Sequence, residues 1–269
     1  MKSENRPVIL VHGWKSHTRI WRDLISRLTD HGRPAWAFAY TDDHPEAVAT
    51  DLRRFIAGKR KESGYTGDID IITHSMGTHI TRYLLEVMDG STKEEDVRTL
   101  IGIGPPNNGS SMAELFCDAE HGKEMIRRLA GVFVPKSYIP DGDALVQEVR
   151  PKSPTMKKLK RAGLRDDITY RFILGENLTR SAAFFPVFGG RTPVYGEDGE
   201  WKTTWAGDGV IPHTDSIMAG GTYEVLPSDP LHLGKRPWRY CHTTLPGNPE
   251  VIRRILCHLT ESDGDSARG

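Results

Sequence analysis

The chain is poor in the features that announce whole classes of protein. Its 269 residues include three cysteines, Cys117, Cys241 and Cys257. That is too few, and an odd number, for a disulfide framework, so free buried thiols are expected. No stretch approaches the run of about 18 apolar residues that a membrane-crossing helix needs. Neither sign of charge dominates, with 36 Lys and Arg against 36 Asp and Glu. The basic excess of a nucleic-acid binder is therefore missing, and no nucleic-acid partner is expected. Histidines and cysteines nowhere recur at metal-ligand spacing, so neither metal nor cofactor is expected. Internal repeats and low-complexity stretches are absent. Residues 1–7 hold no apolar leader, which points to a cytoplasmic location unless the chain is part of a longer one.

What is present suits a packed α/β domain. Hydrophobic residues make up 37% and charged residues 27%, enough for one domain with an insertion or for two smaller ones. Short apolar runs alternate with helical patterns, which argues for parallel strands joined by crossovers. Strands are expected at Val8–His12, Ala35–Tyr40, Asp68–Thr73, Thr99–Gly104, Thr169–Leu174 and Thr222–Leu226. Ile20, Trp21, Leu24, Ile25 and Leu28 line one helical face, and Val48, Leu52, Phe55 and Ile56 another. A last helix has Asn248 to cap it, Pro249 where a missing N–H costs nothing, and Val251, Ile252, Ile255, Leu256 and Leu259 as its stripe. From Thr260 the tail is expected to fray.

Two segments break the alternation. Residues 110–163 are too long for one crossover helix and fit two or three short helices over the carboxyl edge of the sheet. Residues 176–207 are rich in Gly, Pro and aromatics, and read equally well as a satellite core or as a pocket wall. Long excursions inside compact domains are usually functional or mobile.

The chemistry concentrates at Thr73-His74-Ser75-Met76-Gly77. This pentapeptide follows an apolar strand and opens the helical pattern Ile80, Tyr83, Leu84, Val87, Met88. A serine on such a turn stands clear of the backbone, with the N–H groups of the next helical turn aimed at what it attacks. Thr73 stands where this pattern usually has glycine. A second strand end, Val11-His12-Gly13-Trp14, precedes it by 60 residues. A serine hydroxyl needs a base within hydrogen-bond reach, itself oriented by an acid, and strand ends bring distant residues together. Asp208, flanked by Gly207 and Gly209, is the best-placed acid, with Asp198, Asp215 and Asp229 as rivals. His242, on the loop before the last helix, is the best-placed base, ahead of His232 and His213. The N–H groups of Met76 and Trp14 are the candidate oxyanion donors. His12 and His74 are expected to tie down loops.

Together these residues resemble the α/β-hydrolases, within them the bacterial and archaeal lipase–esterase group. The likeness is carried by Val8–Trp14, Thr73–Gly77, Gly104–Ser110, Asp208-Gly209-Val210, and His242 before Asn248, in the order Ser, Asp, His. It implies a mostly parallel central sheet with helices on both faces. Residues 1–109 and 164–262 would form the core, 110–163 a helical cap or lid, and 263–269 a disordered tail. It implies Ser75 as nucleophile, Asp208 as acid, His242 as base, and Trp14 and Met76 as oxyanion donors. The activity implied is cleavage of a small-molecule or lipid ester through an acyl-enzyme, with at most transient contact with a lipid surface. Phe116, Leu129, Phe184 and Phe185 are the expected substrate-lining residues. Many secreted relatives hold calcium through an aspartate two residues after the histidine. Thr244 stands there, so no calcium is expected. An acyltransferase or a thioesterase would use the same triad. A binding protein without catalysis would be expected to have lost one of its members.

Overall fold

The six apolar runs read as strands pair into one sheet, and two short strands not foreseen form a hairpin beside it. The computed structural model describes residues 6–41, 44–196 and 198–266. In chain order the strands are β1 (Val8–Val11), β2 (Ala35–Phe38), β3 (Ile69–His74), β4 (Val97–Ile103), β5 (Thr169–Gly175), β6 (Thr192–Tyr195), β7 (Trp201–Thr204) and β8 (Thr222–Leu226). The sheet runs β2-β1-β3-β4-β5-β8 with every neighbouring pair parallel. β1 and β3 are buried at every residue, as strands covered on both faces must be, which is why they read as continuous apolar runs.

The covering helices keep their expected faces. α1 (Arg22–Asp30) follows a 3-10 turn at Thr18–Trp21, and Trp21, Leu24 and Leu28 are fully buried. α2 (Pro45–Ser63) buries Val48, Leu52 and Ile56. α3 (Met76–Arg82) passes into a π-helical turn at Tyr83–Met88. The four short helices α4 (Ser111–Phe116), α5 (Gly122–Leu129), α6 (Ala144–Glu148) and α7 (Pro154–Ala162) occupy the long insertion. After the single turn α8 (His213–Ser216), α9 (Pro249–Ser266) closes the fold. Asn248 caps α9 through Oδ1, which accepts the Glu250 N–H at 2.8 Å.

Three expectations need correction. The insertion holds four helices, and α7 packs against the 83–88 turn beside the sheet, so it belongs to the crossover. Residues 176–207 are not one long loop but carry the antiparallel hairpin β6–β7. Each of its strands has only four residues, one of them with a proline, too short for a periodic signal. Last, the backbone stays helical to Ser266, past the point where the tail was expected to fray. Residues 267–269 of that tail lie outside the described residues.

Candidate active site

Ser75 stands between β3 and α3 at φ 53° and ψ −124°, a left-handed strain that a non-glycine residue adopts only where neighbours enforce it. They do so on both sides. The Ser75 N–H donates to Ile103 O at 2.9 Å, and the Thr78 N–H returns to Ser75 O at 2.9 Å. A side chain on Gly77 would put its Cβ 2.5 Å from both Val11 O and His12 O, so only glycine lets α3 lie this close to β1. Thr73 occupies the usual glycine position without conflict. Its hydroxyl pairs with that of Thr78 at 2.6 Å and laces strand to helix across the turn.

The acid and the base come from loops after β7 and β8. Asp208 is buried, and its Oδ1 accepts the N–H groups of Val210 at 3.0 Å and Ile211 at 2.7 Å. Its Oδ2 accepts the Nδ1–H of His242 at 2.6 Å, and the two backbones join through His242 N–H to Asp208 O at 2.9 Å. A carboxylate at Nδ1 puts the proton there and leaves Nε2 with its lone pair free to take one. Gly104, at the end of β4, makes room for the pair. A Cβ there would fall 2.8 Å from Asp208 Oδ2 and 3.0 Å from His242 Nδ1, at a φ of +54°.

His74 and His12 tie down loops. The His74 Nε2–H donates to His242 O at 3.0 Å, and the two rings lie 4.7 Å apart. Burial, reinforced by His242 beside it, holds the His74 pKa well below the ordinary histidine value, so it stays neutral. His12 stacks on Tyr40 at 4.3 Å and donates through Nδ1 to Gly13 O at 2.8 Å, while Tyr40 Oη donates to His12 O.

Gly13, Trp14, Ser75, Met76 and His242 line one cavity of about 280 Å³, walled by Met112, Ala113, Phe116, Phe133 and Val146 among others. Met76 is the first residue of α3, where a helix leaves its N–H without an internal acceptor. Neither that N–H nor the N–H of Trp14 has an acceptor among the described residues. A Cβ on Gly13 would lie 3.1 Å from Ser75 Cβ, so the two strand ends touch. Ser75 Oγ makes no hydrogen bond among the described residues; the contact with His242 remains open here, as it often does before a substrate closes it.

The structure therefore brings Ser75, Asp208, His242, Trp14 and Met76 together and sends the rivals elsewhere. His232 pairs with Glu250 at 3.2 Å, and His213 bonds Gly175 O at 3.1 Å. Asp198 pairs with Lys202 at 2.6 Å, and Asp229 accepts the Leu231 N–H. Asp215 is turned to Ser111, accepting its N–H at 2.6 Å and its hydroxyl at 3.0 Å.

Of the four expected lining residues only Phe116 faces the cavity. Leu129, Phe184 and Phe185 are core side chains with 0%, 0% and 3% exposure. An apolar period locates a buried face without saying whether a cavity or a neighbour lies against it. Two contributors escaped the sequence reading. Thr192, on β6, takes the Gly209 N–H on its hydroxyl at 2.8 Å and so buttresses the acid loop. Asp143 at the N-cap of α6 holds the Trp14 indole. Its Ala-Leu-Val-Gln run after an aspartate was a capping signal that could have marked it.

Comparison with known proteins bears on the fold and on the N-terminal half of the chain. Residues 5–129 match the family model of class 2 lipases. No curated protein matches the chain. Among solved structures, the mature form of a Bacillus licheniformis lipase superposes with a TM-score of 0.67 at 16% identity, covering 95% of this chain and 92% of that one. A metagenomic carboxyl esterase gives 0.59 at 16% identity, with 97% and 77% covered. A Paleococcus ferrophilus monoacylglycerol lipase gives 0.54 at 12% identity, with 96% of each chain covered. Identities this low speak for the fold, and the family match adds the lineage of the N-terminal half. The fold is thus the one shared by these solved lipases and esterases, and residues 5–129 are similar to the class 2 lipases.

Proposed function

We propose that this chain is a serine hydrolase that cleaves carboxylic esters through an acyl-enzyme on Ser75. One observation carries the reading. A serine on a strained strand-to-helix turn shares an apolar cavity with His242, whose far nitrogen is bonded to buried Asp208 at 2.6 Å. The class 2 lipase match and the lipase and esterase neighbours support the substrate class.

In this mechanism Ser75 Oγ attacks the ester carbonyl carbon while His242 Nε2 takes its proton. Asp208 keeps the imidazole in the Nδ1–H tautomer and stabilises the imidazolium that forms. The carbonyl oxygen becomes an oxyanion between the N–H groups of Trp14 and Met76. Collapse breaks the bond to the alkoxide, which leaves with the proton from His242. Water then repeats the cycle on the acyl-enzyme, and the carboxylic acid departs. No step calls for a metal or a redox cofactor. The α4–α6 region acts as the cap whose apolar side chains receive the acyl group.

The deciding experiment labels the protein with a fluorophosphonate and maps the adduct by mass spectrometry, beside turnover of p-nitrophenyl esters. The adduct should sit on Ser75, and Ser75→Ala should lose at least about 1000-fold in turnover with its fold retained. An adduct on another residue, or a Ser75→Ala variant that turns over esters normally, overturns the assignment.

A further inference from the structure

A second surface feature lies against the mouth of this cavity. A groove lined by Arg19, Arg22, Trp238 and Arg239 shares Ile20, Thr243 and Pro246 with the Ser75 cavity. Its rim continues into the two 3-10 turns Pro230–Leu233 and Pro237–Tyr240, which pack on each other. There Lys235, Arg236 and Arg239 are exposed beside Leu231, at 83% exposure, and Trp238, at 45%. Arg19, Lys235, Arg236 and Arg239 make no ion pair among the described residues. The one carboxylate lining the groove, Asp23, is paired with Arg22 at 3.1 Å.

That arrangement is a local excess in a chain whose formal net charge is zero. Some surface cations elsewhere are paired, as in Lys59–Glu62, Arg127–Glu124 and Lys202–Asp198. Others, such as Lys157 and Lys160 on α7, have no partner among the described residues. What sets this patch apart is the large apolar side chains exposed among its cations. Here four cations stand unpaired around a large leucine and a tryptophan in water. Exposed apolar residues of this size set among unpaired cations mark a contact surface. Leucine and indole at a rim of Lys and Arg suit the boundary between headgroup and acyl chain, where the ring enters and the cations meet phosphate. A phosphate backbone alone would draw the cations and leave Leu231 without a partner.

We propose that the 231–239 turns, with Arg19, dock this protein on an anionic lipid surface and bring the cavity mouth to face it. The proposal deepens the ester-hydrolase reading by naming where the substrate is met, yet docking itself requires no catalysis. Leu231 and Trp238 enter the interfacial layer, and the four cations hold the anionic headgroups. Because the groove and the cavity share a wall, an ester drawn from the layer has a short path to Ser75. The attraction weakens with salt, since the charges are exposed and the Debye length falls to about 3 Å at molar ionic strength.

The test is co-sedimentation of the full chain carrying Ser75→Ala, which spares the lipids, with vesicles of phosphatidylcholine alone or mixed with phosphatidylglycerol. Binding should favour the anionic vesicles and disappear at molar salt. Arg236→Glu with Arg239→Glu should weaken it by more than about tenfold, as loss of several near-surface cations implies. Trp238→Ala should weaken it several-fold. The same substitutions on intact Ser75 should leave turnover of a water-soluble short ester unchanged, which separates failure of docking from failure of the catalytic assignment. Equal binding to neutral vesicles, or undiminished binding by the charge-reversed variant, overturns the proposal. So does duplex DNA binding as tight as vesicle binding, which would make the patch a general polyanion surface. A Trp238→Ala change that alters only the oligomeric state, with no vesicle effect, assigns the face to a second copy of the chain and likewise overturns it.

Discussion

The indole Nε1–H of Trp14 donates to Asp143 Oδ2 at 2.8 Å, so the loop that follows β1 is anchored to the N-cap of α6. Asp143 uses its other oxygen to accept the Val146 N–H at 3.1 Å, and Lys15 Nζ lies 3.6 Å from the first. Trp14 also meets Tyr138 edge-on at 5.1 Å. The insertion therefore fixes the residue whose backbone N–H is proposed to receive the oxyanion.

Replacing that anchor should damage turnover more than binding. Asp143→Ala frees the loop and should lower kcat on short esters by about tenfold, less than the roughly 100- to 1000-fold loss of a whole oxyanion donor. KM should change little. Asp143→Asn, which still offers an oxygen to the indole, should recover most of the rate. Equal kcat for wild type and Asp143→Ala would disconnect the anchor from catalysis.

The neutral histidine beneath the base invites a second substitution. His74→Phe keeps a ring against His242 but removes the donor to the His242 carbonyl, held at 3.0 Å. A buried carbonyl left unpaired costs about 1–3 kcal/mol. Both the melting temperature and the turnover of small esters should fall, while fluorophosphonate still labels Ser75, more slowly. A variant as fast and as stable as wild type would reduce His74 to packing.

Asp215 sets a pH dependence of unusual sign. Burial, with Asp208 nearby adding to it, pushes its pKa from 3.8 up to about 7, against the bonds from Ser111. Between those values the folded chain keeps a proton that the unfolded chain has released. Stability from this group is thus full at low pH and is lost as pH rises through 7. His79 acts oppositely. Burial first, then Arg82, lower its pKa to about 3, so its contribution is lost as pH falls below 6.5. A wild-type melting profile mixes the two, and Asp215→Asn isolates one. Relative to wild type, the variant should gain stability from pH 5 to pH 8, by up to the order of a few kcal/mol. A constant difference across that range would show that Asp215 ionises normally in the fold.

Thr244 is turned inward, its hydroxyl donating to Trp238 O at 2.6 Å and Cys241 O at 3.0 Å. Among the described residues no group of three His, Cys, Asp or Glu side chains is arranged to hold a metal ion. EDTA should leave the melting temperature and ester turnover where they were. A fall of several degrees that calcium reverses would reveal a metal site.

Much of this site was legible because its signals are local. A serine between an apolar strand and a helical pattern, with glycine two residues on, encodes the elbow within five positions. The β1 end and the cap of α9 are local in the same way. Asp208 and His242 were harder, since several loop carboxylates and histidines competed. Position in the strand order singled them out, and the contact itself spans 34 residues. Illegible were the features made only by tertiary contact. Thr192 supports the acid loop from a hairpin of four-residue strands, and the Trp14–Asp143 anchor crosses 129 residues.

The same limit separates Phe116 from Leu129, and that difference can be measured. Both are buried, at 4% and 0% exposure, but only Phe116 borders the Ser75 cavity. Each cut to alanine should cost stability, on the order of 2–5 kcal/mol, so rates should be compared at a temperature where both variants are folded. Phe116→Ala enlarges the cavity and should move the optimum across p-nitrophenyl esters toward longer acyl chains, with acetate turnover nearly unchanged. Each further buried CH₂ is worth about 0.8 kcal/mol of binding, which makes a shift of one or two carbons visible in kcat/KM. Leu129→Ala should lower the melting temperature and leave the chain-length profile in place. If both variants keep the wild-type profile, the α4–α6 region is a structural excursion and the acyl chain lies elsewhere. If Leu129→Ala alone moves it, the cavity wall has been assigned to the wrong side of α5.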